Sequence, residues 1–278
     1  MSATLRVDRA LKGDARPEVI FNYLSPDEAI GYTGIANDEF GMFFLRADAE
    51  GLSPVSPYYP SIVANRDECV TEGSDLARVI AELGCVIQSS NANPRQRFDA
   101  INALASARTA EATAILQKAA REQISPLNHV AASLLLARND ASALPIVEDA
   151  WMRSSALVFI SDGIHVEGNL SHNLGGISDP STIPSLTRLL ASEDVNVRRG
   201  VVQALRNIKT KTAIEPLARA LDDSDLEVRC VAVMGLAAIA GPDKDGNSWY
   251  PAYDTFKQNE QVYLDHWREW VEQKKRNR

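Results

Sequence analysis

The stretch DVNVRRGVVQALRNI, Asp194 to Ile208, points to a repeat architecture, because its skeleton returns downstream as DLEVRCVAVMGLAAI, Asp225 to Ile239. Asp194 and Asp225, Val197 and Val228, Arg198 and Arg229, Leu205 and Leu236, and Ile208 and Ile239 each stand 31 residues apart. In both copies the apolar positions fall at steps of three and four, the stripe of an amphipathic helix. Val197, Val201, Ala204, Leu205 and Ile208 make the stripe in the first copy, and Val228, Ala232, Leu236 and Ile239 in the second. A shorter apolar helix precedes each: TIPSLTRLLAS with Ile183, Leu186, Leu189 and Leu190, then AIEPLARALDD with Ile214, Leu217 and Leu221. Neither helix pair buries its own apolar face, so neighbouring pairs must stack into one continuous core. Asp194 and Asp225 sit where a carboxylate caps the free N–H groups of a helix start and meets its positive dipole end.

Helix pairs with the pattern D..VR..A...L..I resemble HEAT repeats, most closely the short subtype first named for phycobilin lyases. The resemblance implies a fold rather than an activity. It also implies that Arg198 and Arg229 bond to an Asp of a neighbouring turn as a structural ladder instead of forming an anion site. Degenerate copies lie upstream in RQRFDAINALASA and in TAEATAILQKAAREQISPLNHVAASLLLARND, whose core candidates are Ile115, Leu116, Val130, Leu134 and Leu135. SALPIVEDAWMRSSALVFI is expected to form another pair, giving about five pairs between Ser74 and Gly241. The first helix, SDLARVIAELGCVI, carries Leu76, Val79, Ile80, Leu83, Val86 and Ile87 on its stripe behind Ser74 or Asp75 as N-cap.

Residues 1–66 read differently. TLRVDRALK, EVIFNYL and GMFFLRAD are short runs with alternating or aromatic character between Gly-, Pro- and Asp-rich turns, and they predict a small β region. They resemble the netrin and tissue-inhibitor-like OB module, on the strength of a strand ending in LKG, a second strand and an FFL strand. That module has a strand before its LRVDR strand, and the difference implies a segment upstream of Met1. The opening residues contain no apolar run of signal-peptide type. The chain is therefore expected to be exported if such a segment carries the signal, and cytoplasmic otherwise.

The fold class expected is α+β, mainly α: a small N-terminal β region over 1–66, then a right-handed HEAT-like α-solenoid over 74–278. Residues 161–179 are expected to form a loop insertion, and 258–274 a C-terminal capping helix. In that last segment Tyr263, Trp267 and Trp270 share one helix face with Leu264 and Val271. A cap is wanted there because Arg199, Gln203 and Arg206 become Cys230, Met234 and Ala237 one interval later, which leaves an apolar face at the end of the stack.

Charge and chemistry narrow the function. With 29 Lys and Arg against 37 Asp and Glu the net charge is −8, which argues against nucleic acid as partner. No run approaches the roughly 18 apolar residues of a membrane span. The basic tail KKRNR suits a helix C-terminus. Of the three cysteines, Cys230 lies within a repeat helix. Cys69 and Cys85 either remain separate thiols, the default for so few, or pair across a short loop in an oxidising compartment.

His165, Glu167 and His172 lie together in the 161–179 segment but at no known ligand spacing, and Ser161 or Ser171 with His172 lacks a nucleophile elbow. DKDGNSWYPAYD places Asp243, Asp245, Asn247 and Asp254 as in a calcium loop, yet Ser248 stands where the turn needs Gly, so a connecting turn is expected. No cofactor is expected. The predicted role is a non-enzymatic protein-interaction scaffold, with Asn196, Arg199, Gln203, Arg206, His165 and His172 as binding-surface candidates. The resemblance leaves one alternative, an enzyme accessory or chromophore-attachment factor of the phycobilin-lyase type. DNA-repair glycosylases built on similar arrays are disfavoured by the acidic balance.

Overall fold

The computed structural model describes residues 2–7, 17–22, 41–49, 51–54, 61–63, 73–123, 126–153 and 170–276. The chain divides into two compact units, Met1–Ile115 and Leu116–Arg278. The division falls within helix α3 (Ala110–Glu122) rather than between 66 and 74, so the first two helices group with the strands.

In the first unit β1 (Ser2–Arg6) pairs antiparallel with β2 (Glu18–Asn22), Leu5 opposite Val19 and Ala3 opposite Phe21. These four face inward, while Thr4, Arg6 and Ile20 are exposed, the alternation that a strand with one wet face requires. The run GMFFLRAD, expected as one strand, is broken at Phe44. β3 (Gly41–Phe43) pairs with β6 (Ser61–Val63), and β4 (Leu45–Asp48) pairs with β5 (Gly51–Pro54). Phe43 remains against Phe21, their rings 6.0 Å apart.

Helix α1 (Asp75–Gln88) starts at Ser74, whose side chain accepts from the Ala77 N–H. Its stripe buries Ile80, Leu83, Val86 and Ile87, but Leu76 in the first turn is 52% exposed. Helix α2 (Pro94–Ala105) opens on a reciprocal capping box between Asn93 and Gln96 with Pro94 in the first turn. Cys85 on α1 is disulfide-bonded, which overturns the reading of it as a separate thiol. Cys69 lies outside the described residues.

The second unit is a stack. Helix α4 (Leu127–Leu136), a 3-10 segment over Leu170–Gly176, α7 (Val195–Ile208) and α9 (Leu226–Ala240) pack in succession as one layer. Helices α5 (Leu144–Trp151), α6 (Ile183–Leu189) and α8 (Ile214–Ala220) precede them as the first members of their pairs. Leu186, Val197, Val201, Leu205, Leu217, Val228 and Leu236 are all fully buried. Asp194 and Asp225 accept from the Asn196 and Val228 N–H groups, as capping residues should.

The largest departure from expectation is at 170–179, read from composition as part of a loop insertion. Leu174 and Ile177 are fully buried, and they stand 31 residues before Leu205 and Ile208. The 170–176 segment therefore occupies the position of a second helix in the third pair, wound as 3-10 turns. Glycine makes that placement possible. A Cβ on Gly200 would overlap the Ser171 carbonyl oxygen, and one on Gly176 would come within 2.8 Å of the Leu136 carbonyl. Polar bonds then fix the segment at both sides: Asn207 Nδ2 donates to the Gly175 carbonyl at 2.7 Å, and the Ser178 N–H donates to Asn139 Oδ1 at 2.7 Å.

Helices α10 (Tyr253–Gln258) and α11 (Glu260–Arg276) follow the last repeat, and α11 packs on α8 and α9. Leu264, Trp267 and Val271 are buried there, with Trp270 edge-on to Trp267 at 5.3 Å. The turn before α10 is held by Asp243, whose carboxylate accepts from the Asp245 and Asn247 N–H groups, Asn247 Nδ2 and the Trp249 indole. The Asn247 N–H leads the donors that hold this carboxyl below the usual aspartate range. Trp249 in turn stacks on His266 at 3.6 Å.

Candidate functional site

Helix α7 is amphipathic, and the face opposite its buried stripe places Asn196, Arg199, Gln203 and Arg206 in one row, since steps of three and four return to the same side. All four are half-buried. Their neighbours come from α9, one repeat on, and from the segment that leads into the cap.

The two consecutive arginines Arg198 and Arg199 have separate duties. Arg198 forks onto Asp223, Nε to Oδ2 at 2.8 Å and Nη2 to Oδ1 at 3.1 Å, and its Nη1 donates to the Ser192 carbonyl at 3.0 Å. One interval later Arg229 repeats the motif: its Nη1 donates to the Asp223 carbonyl at 2.6 Å and its Nε pairs with Glu260. Ser192 and Asp223 are themselves 31 residues apart, so the backbone half of the ladder repeats in register. With no further repeat to supply the carboxylate, the first residue of α11 supplies it.

Arg199, expected as an open binding residue, is taken up internally. It forks onto Asp225, Nε to Oδ1 at 2.9 Å and Nη2 to Oδ2 at 2.7 Å, and Nη1 lies 3.1 Å from Glu227. The Arg199 bond holds the Asp225 carboxyl below the usual aspartate range and, from the other side, raises the guanidinium. The two carboxylates belong to the next repeat, so the helical period of α7 gives no sign of them.

Arg206 is differently placed. Its Nη1 donates to Gln203 Oε1 at 3.3 Å and approaches the Met234 sulfur at 3.8 Å, and its guanidinium lies over the Tyr250 ring at 5.7 Å. Gln203 Nε2 donates to Asn207 Oδ1 at 3.2 Å, which links the row to the turn at Gly175. Asn196 contributes its backbone N–H to the Asp194 cap at 2.8 Å. Tyr250 is 41% exposed and Tyr253 is 45% exposed, the latter within electrostatic reach of Arg199. Sequence reasoning missed these two tyrosines. The signal was present in SWYPAYD, an aromatic-rich stretch read only for its carboxylates.

His172 is exposed on the 170–176 segment. His165 and Glu167 lie outside the described residues. Cys230, one interval on from Arg199, is buried, and that burial pushes its thiol up to about 11, far from a nucleophile's range.

Residues 166–243 match the model of the HEAT-repeat family. The matched span begins one interval before Val197, so it takes in the 170–176 segment, the second member of the third pair, as well as the two regular pairs. No curated protein matches the chain. Among solved structures, human deoxyhypusine hydroxylase in complex with glycerol is similar at 20% identity, over 69% of this chain and 74% of that one, with a TM-score of 0.26. Residues 166–243 thus match HEAT repeats, within a chain that is mainly α with a few N-terminal strands.

Proposed function

We propose that this chain is a non-enzymatic scaffold whose repeat array binds a protein partner through the polar face of α7. The observation that carries the reading is the half-buried row Asn196, Arg199, Gln203 and Arg206 with Tyr250 and Tyr253 exposed at its edge. Tyrosine and arginine are the residue types that supply most binding energy in protein interfaces, because each offers a large apolar surface with a polar end. Stacked repeats also expose successive second helices as one extended surface. The finer resemblance of the N-terminal strands to an OB-like module belongs to this proposal, supported by the antiparallel pairing of β1 with β2.

The test compares the full chain with its Tyr250→Ala and Tyr253→Ala variants, immobilised and exposed to lysate from the source cell. The scaffold reading expects a protein retained by the parent and lost from the double variant at unchanged melting temperature. Equal retention by both contradicts this face as the site, and a bilin chromophore co-purifying with the chain contradicts the non-enzymatic reading.

A further inference from the structure

We propose that the Arg206 and Tyr250 step receives an acidic side chain, Asp or Glu, from a segment of the partner that also places an apolar residue against Met234 and Tyr250. The inference rests on the scaffold reading above and names the chemistry of its partner. It starts from an imbalance within one helix face. Arg199 and Arg206 lie two turns apart on the same row of α7, yet Arg199 holds two carboxylates, and Arg206 has only neutral acceptors, Gln203 and Met234. Among the described residues no carboxylate pairs with Arg206, although the chain carries 37 acidic residues against 29 basic ones.

The cause is in the sequence of the next repeat. α9 carries its last acid at Glu227, and the residue one interval beyond Arg206 is Ala237. The neighbouring helix therefore has no countercharge to offer at that level. A half-buried guanidinium lying over an aromatic ring still has planar N–H donors of the kind that meet a carboxylate in a two-point bond. Met234 and the Tyr250 ring beside it are apolar, which selects an acidic residue with an apolar neighbour rather than a free anion. A nucleic-acid backbone is a worse fit, because Asp225 and Glu227 at the start of α9 flank the row at Arg199 and repel a chain of phosphates.

The experiment pans a random peptide library displayed on phage against the full chain, against Arg206→Gln and against Arg219→Gln on α8, with melting curves to show that each is folded. A labelled single-stranded oligonucleotide is titrated in parallel. The proposal expects the parent and Arg219→Gln to enrich peptides with Asp or Glu at one fixed position beside an apolar residue. Synthesised and titrated by fluorescence anisotropy, such a peptide should bind Arg206→Gln more weakly by about tenfold or more, as loss of a charged hydrogen bond requires. Arg206→Lys should fall between. Enrichment of peptides without a fixed acid, bound equally by Arg206→Gln, overturns the acidic-partner inference and leaves the scaffold reading standing. Absence of any enrichment on the parent overturns the scaffold reading itself. Salt-sensitive oligonucleotide binding that Arg206→Gln abolishes overturns the assignment to a protein.

Discussion

Single residues in the array act across repeats more than within them. Arg198 bonds Ser192 behind it and Asp223 ahead, so one side chain fastens two successive turns. The Arg199 and Asp225 pair has a pH signature. The folded carboxyl of Asp225 titrates below the ordinary aspartate value near 3.8, so its pairing contributes in full above that pH and is lost as pH falls through the lower folded value. Melting temperatures from about pH 6 down to about pH 3 should therefore fall less steeply for Asp225→Asn than for the parent, from a lower starting point. An identical pH slope in the two proteins would remove the pair from the account. The helix stripe and the capping role of Asp225 were legible in the sequence. Its pairing with Arg199 was not, since 26 residues separate partners that only the stacking of α7 on α9 brings together.

At the scale of elements, the regular helices were legible and the irregular one was hidden. α7 and α9 share both spacing and chemistry. The 170–176 segment and the Ile177 that follows it keep the spacing, through Leu174 and Ile177, but trade helix formers for Gly175 and Gly176. Glycine costs helix stability, and its presence made a buried element resemble a loop. The same interval that defined the fold would have found it. Close approach explains the trade: Gly200 on α7 leaves room for the Ser171 carbonyl, so Gly200→Ala must push the two elements apart. Overpacking of that kind costs about 1–3 kcal/mol, and chemical denaturation should register it as a lower midpoint. The control is Gly246→Ala, strained at its own backbone by a φ of 80° but with nothing near its Cβ. If Gly200→Ala matched the parent, the 170–176 segment would not be seated against α7 as described.

For the whole molecule, the composition and the repeat together reported a mainly helical chain with HEAT-like stacking. They did not report where its compact units divide, because helix α3 has one continuous pattern across the division. Within Leu116–Arg278 each repeat is held by the next and the last by α11, through Trp267 beneath it and Glu260 on the Arg229 ladder. Stability in such stacks is a sum of repeat and nearest-neighbour terms, so damage at the cap must spread backward. Trp267→Ala removes a fully buried side chain and should cost about 3–5 kcal/mol. The most direct test is amide hydrogen exchange on that variant. Exchange should be faster in α8 and α9, with a smaller rise in α7 and the least in α6, a gradient running away from the cap. Faster exchange confined to α10 and α11, with α9 protected as in the parent, would contradict it.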